Sequence, residues 1–359
     1  MKASTIIPFG PQHPVLIEPL QLALKVEDER VVEVRPALGY THRGLEKGAE
    51  LNDVVRNIFM AERVCGICSF IHSWCYCACI EELLNVESPP RAEFIRLVSA
   101  ELTRIHSHLL YLGLLADGLG FESLFMQFWR VRERVLDLME AISGGRVIMG
   151  NCTIGGVRKD IDADMVRAIF KEVNEVERDL VPLTRAVLDD YTVKKRTVGK
   201  GVLSKEDAIK FGAVGPVARA SGVRTDVRLL GEGPYKYVDF EVVIDKDGDA
   251  YARTAVHVRE VFVSLDLIRQ TLCKLPAGEI KADWKGRVQG EVIKRMEQPR
   301  GEMMYYVRGN GNRNLERFKV RTPTFANIPP LLEMLPGCEL ADVPVIVISI
   351  DPCIACTER

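Results

Sequence analysis

Two Cys-x-x-Cys pairs carry most of the chemistry this sequence can do: Cys65-Gly-Ile-Cys68 and Cys353-Ile-Ala-Cys356. At that spacing two thiolates turn to the same side and grip one metal ion, so the two pairs together make a four-sulfur site. The grips of a common zinc module sit about 15–20 residues apart, whereas about 285 residues separate these (68 to 353). A metal held this way lies inside a large domain rather than stapling a small one. The spacing alone leaves two other readings open, a structural zinc ion and a set of buried thiols.

The rest of the composition fits that picture. The chain has 359 residues, 47% hydrophobic and 27% charged, enough for a sizeable core. A net charge of −2 gives no electrostatic case for nucleic acid or an anionic lipid surface. No apolar run reaches the roughly 18–20 residues of a membrane span, and the first residues lack the apolar segment of a secretory signal. Ten cysteines without such a signal point to the cytoplasm and to metal or redox chemistry rather than to a disulfide framework.

The elements that must position the cysteines read as α+β, predominantly helical: a bundle of long helices with small sheets at the N-terminus and in the last third. Leu22, Leu24 and Val26, then Val31, Val32 and Val34, alternate around Asp28-Glu29-Arg30 and predict a hairpin. Residues 53–84 are predicted helical with a break near Cys65-Gly66. Helices are predicted over 91–116, 122–142, 162–191 and 251–275 from their i, i+3, i+4 apolar spacing. Ser204 caps a short helical turn to Phe211, residues 212–233 read as loop-rich, and residues 237–244 alternate like a strand turned by Asp247-Gly248. Short strands are expected at 303–307 and 318–320 and a helix at 328–335. An apolar run, 343–350, leads into the second cysteine pair. One domain over 1–359 is expected: a hairpin region to about 45, a helical core over about 46–192 and 251–275, a mixed segment over about 193–250, and a metal-site segment over about 297–359.

The flanks of the cysteines narrow the chemistry. Arg63-x-Cys65-Gly-x-Cys68-x-x-x-His72 and Asp351-Pro-Cys353-x-x-Cys356 resemble the two nickel-binding motifs of the large subunit of nickel–iron hydrogenases. Gly10-Pro11-Gln12-His13-Pro14 and Gly39-Tyr40-x-His42-Arg43-Gly44-x-Glu46-Lys47 are similar to the energy-converting, membrane-associated branch (group 4) and to the homologous quinone-site 49 kDa subunit of respiratory complex I. That relative has lost the nickel cysteines; this chain keeps all four.

The resemblance implies roles. Cys65, Cys68, Cys353 and Cys356 would bind nickel, with Cys68 and Cys356 bridging to an iron that carries CO and two cyanides. Glu18 falls where the family has a glutamate beside a nickel-bound sulfur and would relay protons, received from Cys353 or Arg300. Pro299-Arg300-Gly301 matches the segment that sets a guanidinium over the open metal position, and Asp117 and Asp351 match the acids that pair with it. Thr324 would donate to a cyanide, and His72 would donate to a cysteine sulfur. The family's last motif usually ends in histidine, where the precursor is trimmed and a Mg2+ ion binds; here the position is Arg359. A chain stopping there is consistent with trimming. Glu46 is the candidate ligand of that Mg2+, an ion that a guanidinium in place of an imidazole argues against. Cys75 and Cys79 share a helix face and are expected to be small buried residues beside the site.

The function expected is reversible formation and cleavage of H2 by a ferredoxin-linked, ion-translocating hydrogenase. The chain has no further four-cysteine motif, so no iron–sulfur cluster is expected in it. A small subunit with a 4Fe-4S cluster, further iron–sulfur and integral membrane subunits, and ferredoxin as electron donor are implied. Those partners would move H+ or Na+ and hold the chain at the cytoplasmic side of the membrane. Two alternatives remain at this point: a metal-free, quinone-site coupling subunit built around His13 and His42, and a non-catalytic four-thiolate zinc protein.

Overall fold

The computed structural model describes residues 4–231 and 233–359. Residues 1–3, where the absence of a signal was read, and residue 232, in the loop-rich stretch, lie outside them. The chain opens with β1 (Thr5–Phe9), β2 (Gln21–Glu27) and β3 (Arg30–Ala37), an antiparallel sheet in that order. The predicted hairpin is β2–β3, turned by Asp28 and Glu29 at φ 49° and 64°. Its inward residues, Leu22, Leu24, Val26 and Val31, are buried, as period-2 alternation requires.

Helices follow: α1 (Leu45–Leu51), α2 (Arg56–Glu62), α3 (Ser69–Leu84), α4 (Pro90–Gly118) and α5 (Glu122–Ser143). The break between α2 and α3 is the first cysteine loop. After the two-residue ladder of β4 (Cys152–Thr153) and β5 (Gly156–Val157) come α6 (Ala163–Asp189), α7 (Tyr191–Thr197), α8 (Lys205–Lys210), α9 (Gly215–Ala220) and α10 (Ala250–Cys273). The last third holds β6 (Gln289–Gln298), β7 (Gly301–Asn310) and β8 (Leu315–Arg321), again antiparallel in sequence order, then α11 (Pro323–Met334), α12 (Val343–Ser349) and α13 (Ile354–Thr357).

Burial sorts the long helices. The outer helix α6 buries one stripe, Ile169, Val173, Val176, Leu180 and Val187, and Asp162 caps it by accepting from Met165 N at 2.8 Å. In contrast α4 is buried almost without interruption from Phe94 to Ala116, and α10 is similarly enclosed. These two helices pack on each other and form the axis around which α3, α5, α9 and α12 are set.

Two expectations fail. Residues 237–244 form no strand: Val238 packs with Leu97 and Leu267, and Val243 with Ala220, Ala252 and Val256. The backbone there bonds to a side chain instead, Asp239 N donating to Gln270 Oε1 at 2.9 Å and Gln270 Nε2 to Asp239 O at 2.8 Å. The alternation records packing against helices, not pairing in a sheet. The second failure is β6, missed because Glu291, Ile293 and Arg295 are exposed and blur its pattern.

The turn from β6 to β7, Pro299-Arg300, lies against the start of α9 so closely that only glycine fits on either side. A Cβ on Gly301 would come 2.5 Å from Gly215 N, and one on Gly215 would come 2.2 Å from Arg300 O; both residues have positive φ. Gly301→Ala should therefore destabilise the fold by about 1–3 kcal/mol through overpacking and backbone strain. Chemical denaturation of the chain reads this directly, and an unchanged midpoint would show that the turn can yield.

Candidate metal centre

The four cysteine sulfurs meet. Cys65 Sγ lies 3.4 Å from Cys353 Sγ, and Cys68 Sγ lies 3.7 Å from Cys356 Sγ. Sulfurs of Cys65, Cys68 and Cys356 all lie within 4.8 Å of one another, and the four side chains form their own buried cluster. A metal–sulfur bond of about 2.3 Å places tetrahedral sulfurs about 3.8 Å apart, so these separations fit ligands of shared metal atoms.

Helix starts position the sulfurs. Cys68 immediately precedes α3 and Cys353 immediately precedes α13, while the amides of Ile67 and Cys68 point at Cys65 Sγ from 3.2 and 3.3 Å. Such N–H groups stabilise a thiolate. Hydrogen bonds from the Cys353, Cys356 and Cys68 thiols, against the opposing effect of burial, hold Cys65 well below the ordinary thiol range. Burial pushes Cys68 and Cys356 well above it. Four buried thiols cannot all ionise beside one another without a cation, and a bound metal supplies that charge.

Arg43 fastens the two distant segments together. Its guanidinium donates to the carbonyls of Arg63 (2.8 Å) and Val64 (2.9 Å) on one side and of Ala355 (3.0 Å) on the other. Glu358 closes the same seam by accepting from Gly39 N at 2.6 Å and from the Thr41 amide and hydroxyl.

The predicted site residues gather unevenly. Arg300 is buried and fixed from three directions: Nε donates to Asp351 O at 2.7 Å, one terminal nitrogen to Asp351 Oδ1 at 2.8 Å, the other to Ser107 Oγ at 3.1 Å. Burial would lower its pKa, but the Asp351 carboxylate and the nearby thiolates outweigh it and keep the guanidinium charged. Pro299 is buried in the same turn. Glu18 Oε2 accepts from Ala355 N at 2.9 Å, and burial, only partly offset by that bond, raises its pKa. Thr324 Oγ1 accepts from Cys353 N at 3.2 Å, leaving its own proton free. His72 is buried with Nε2 3.5 Å from Cys356 Sγ and Nδ1 2.8 Å from Tyr305 OH; burial lowers its pKa to about 4. Cys75, Cys77 and Cys79 are all buried in α3.

Two expectations are corrected. Asp117 does not reach Arg300: it is exposed in the last turn of α4, ten residues or roughly 15 Å along the helix from Ser107, which takes the contact instead. Glu46 is not an open ion ligand. Its carboxylate already binds Lys319 Nζ, Val320 N (3.0 Å) and Arg359 Nε (3.0 Å). Sequence reasoning missed Ser107, Tyr305 and Thr322, whose hydroxyl bonds Cys356 O at 2.9 Å. Ser107 and Tyr305 sit in no local motif, whereas Thr322 lies in the Thr322-Pro323-Thr324 stretch from which Thr324 was singled out. Arg43 was visible only as part of a motif.

Comparison with known proteins gives two family matches. Residues 43–117 match the nickel-dependent hydrogenase family, and residues 118–289 and 284–359 match the respiratory-chain NADH dehydrogenase 49 kDa subunit family. The membrane-bound hydrogenase subunit alpha of Pyrococcus furiosus is 41% identical over 98% of this chain and 87% of its own length. The carbon monoxide-induced hydrogenase of Rhodospirillum rubrum is 39% identical over 98% of this chain and 99% of its own. A component of the F(420)H(2) dehydrogenase of Methanosarcina mazei is 34% identical over 99% and 97%. Among the described residues no helix is long and apolar enough to cross a membrane.

The Glu46 carboxylate gives a pH prediction. Burial alone would raise its pKa, but bonds from Lys319, the Val320 amide and Arg359 bring it below the usual value. The stability it adds is therefore full above its unfolded pKa of about 4.3 and lost as pH falls through the lower folded value. Glu46→Gln should cost about 1–3 kcal/mol at neutral pH, and the gap from the unaltered chain should shrink below about pH 4. Denaturation curves across pH 3–7 measure it.

Proposed function

This chain belongs to the family that joins the large subunits of membrane-bound, nickel-dependent hydrogenases to the 49 kDa subunit of respiratory NADH dehydrogenase, and we propose that it is a hydrogen-activating member. The observation that carries this reading is the convergence of four buried sulfurs under a fixed guanidinium. The relatives that handle F420H2 or quinone belong to the same family, so membership alone does not choose between the activities.

Cys65, Cys68, Cys353 and Cys356 would hold nickel, Cys68 and Cys356 an iron as well, and Arg300 and Thr324 would offer donors to the iron's CO and cyanide ligands. When bound, this centre supplies heterolytic cleavage and formation of H2. The chain's own residues set the conditions for it. Arg300, anchored by Asp351 and Ser107, keeps a positive charge over the sulfurs without moving. His72, held by Tyr305, presents Nε2 to Cys356 Sγ and orients that sulfur. Thr324 has a hydroxyl proton to give.

Glu18 is the proton carrier. It lies near enough to Cys65 and Cys353 for charge to be felt between them, and burial raises its pKa, so it holds a proton more readily than an exposed carboxylate does. Glu18 also borders two spaces. One is a small cavity beneath Asp351, Pro352 and Ile354, and the other is a cleft of about 410 Å3 along residues 11–19. A proton received from Cys353 Sγ thus leaves through Glu18 toward the cleft. Electrons need a partner subunit with iron–sulfur clusters, fed by ferredoxin, and ion movement needs membrane subunits; the relatives' names support only that such chains are subunits of larger, membrane-bound assemblies. We place the chain on the cytoplasmic face, attached through those partners.

Elemental analysis and infrared spectroscopy of the assembled complex test the reading. Nickel and iron at the centre, with absorption from metal-bound CO and cyanide, are expected; zinc alone, or no metal, would refute it. Cys65→Ser and Cys353→Ser should each remove nickel and abolish H2 uptake. Glu18→Gln should keep nickel and slow hydrogen–deuterium exchange about 10²-fold or more. Normal exchange in that variant would take Glu18 out of the proton path.

A further inference from the structure

A second cluster of ligand atoms shares Asp351 with the Arg300 guanidinium. Nitrogens of His108 and His257 and an oxygen of Asp351 all lie within 4.8 Å of one another, and all three residues are buried. His257 Nε2 and Asp351 Oδ2 are 4.0 Å apart.

The hydrogen bonds fix which atoms face inward. His257 Nδ1 lies 2.7 Å from the Arg253 carbonyl oxygen. A carbonyl only accepts, so Nδ1 carries the proton and Nε2 is a bare lone pair. His108 Nε2 lies 3.0 Å from Glu260 Oε2, so it donates and Nδ1 is bare. Asp351 gives Oδ1 to Arg300 and keeps Oδ2. His108 Nδ1, His257 Nε2 and Asp351 Oδ2 are buried without a hydrogen-bond partner among the described residues.

The cluster thus holds three bare acceptors, His108 Nδ1, His257 Nε2 and Asp351 Oδ2, on residues whose ligand atoms lie within 4.8 Å of one another. A single water has two protons and leaves one acceptor bare; a divalent metal satisfies all three. Each histidine also has the outer partner that metal-binding imidazoles have, a carboxylate for His108 and a backbone carbonyl for His257. Tyr111 stacks on His257 at 4.1 Å and holds the ring in place. The nearest guanidiniums oppose a cation, yet Arg300 is paired with Asp351 and Arg219 with Glu260 at 2.8 Å. Ligands about 2.0–2.2 Å from a metal stand up to about 4 Å apart, so the site needs only a small contraction.

We propose that His108, His257 and Asp351 form a second metal site, of two imidazoles and one carboxylate, for a divalent transition ion. The site does not depend on the nickel–iron reading, since none of its ligands is a cysteine.

The test uses the assembled complex, dialysed against Zn2+ and then freed of loose metal. The unaltered complex should carry one zinc per chain more than the His257→Gln or His108→Gln complex, and Glu260→Gln should bind this zinc 10–100-fold more weakly. Equal zinc in all of them overturns the proposal. Should the variants fail to assemble, anomalous diffraction at the zinc edge from the unaltered complex decides. A peak between the three atoms supports the site; its absence after zinc exposure overturns it. Nickel content, read in the same samples, reports on the cysteine cluster separately.

Discussion

The structure depends on one constraint: two chain segments almost three hundred residues apart must be held so that their sulfurs share a few ångströms. No single strong bond does this. Arg43 takes carbonyls from both segments, and the loop at residues 39–41 hands its amides to Glu358. Thr322 and Thr324, at the start of α11, hold Cys356 O and Cys353 N. Of these contacts, the Arg43–Ala355 and Gly39–Glu358 bonds join residues more than three hundred positions apart, so the sulfur cluster is a product of the tertiary fold and not of either segment alone. Metal affinity is then coupled to the fold, because a metal that binds the gathered sulfurs adds its binding energy to the same seam.

The interior near the centre holds an unusual number of guanidiniums. Arg104, Arg219, Arg253 and Arg300 are all fully or nearly fully buried. Arg104 is held by Glu101 and the carbonyls of Glu297 and Gln298, Arg253 by Ser349 and two carbonyls, and Arg219 by Glu260 and Glu297, though its Nη2 finds no partner among the described residues. Buried ion pairs are poor sources of net stability because desolvation opposes them. Their effect here is positional. Arg300 cannot swing away from Asp351 without stranding both charges, so a fixed positive field acts over the sulfurs at no cost in reorganisation.

The cysteine pairs were legible because their chemistry is carried by local spacing, and α4, α5, α6 and α10 because apolar periodicity is local too. Asp117 was misread for the opposite reason. Residues along α4 are buried on all faces, so the sequence does not say which turn meets Arg300, and Ser107 has no mark to distinguish it from Ser99. Tyr305 and His72 meet across 233 positions in sequence, from a strand and a helix. The alternation of residues 237–244 was real but belonged to packing on α10, a case in which tertiary context overrides a strand-like pattern.

Arg359 shows how a departure from a family pattern can keep the physics and change the agent. Its guanidinium meets Glu46 at 3.0 Å, lies over the Phe325 ring at 5.1 Å, and also donates to Thr357 O at 2.8 Å. Lys319 adds a second positive charge to the same carboxylate. The pocket thus receives its cations from the chain itself. A divalent ion there would have to displace two bound cations from one carboxylate, and it would find a guanidinium, which has no lone pair to give, where an imidazole would have offered one. The seam between α1, β8 and the second cysteine segment is in this way closed by charge carried on the chain itself, and protonation of Glu46 would weaken it.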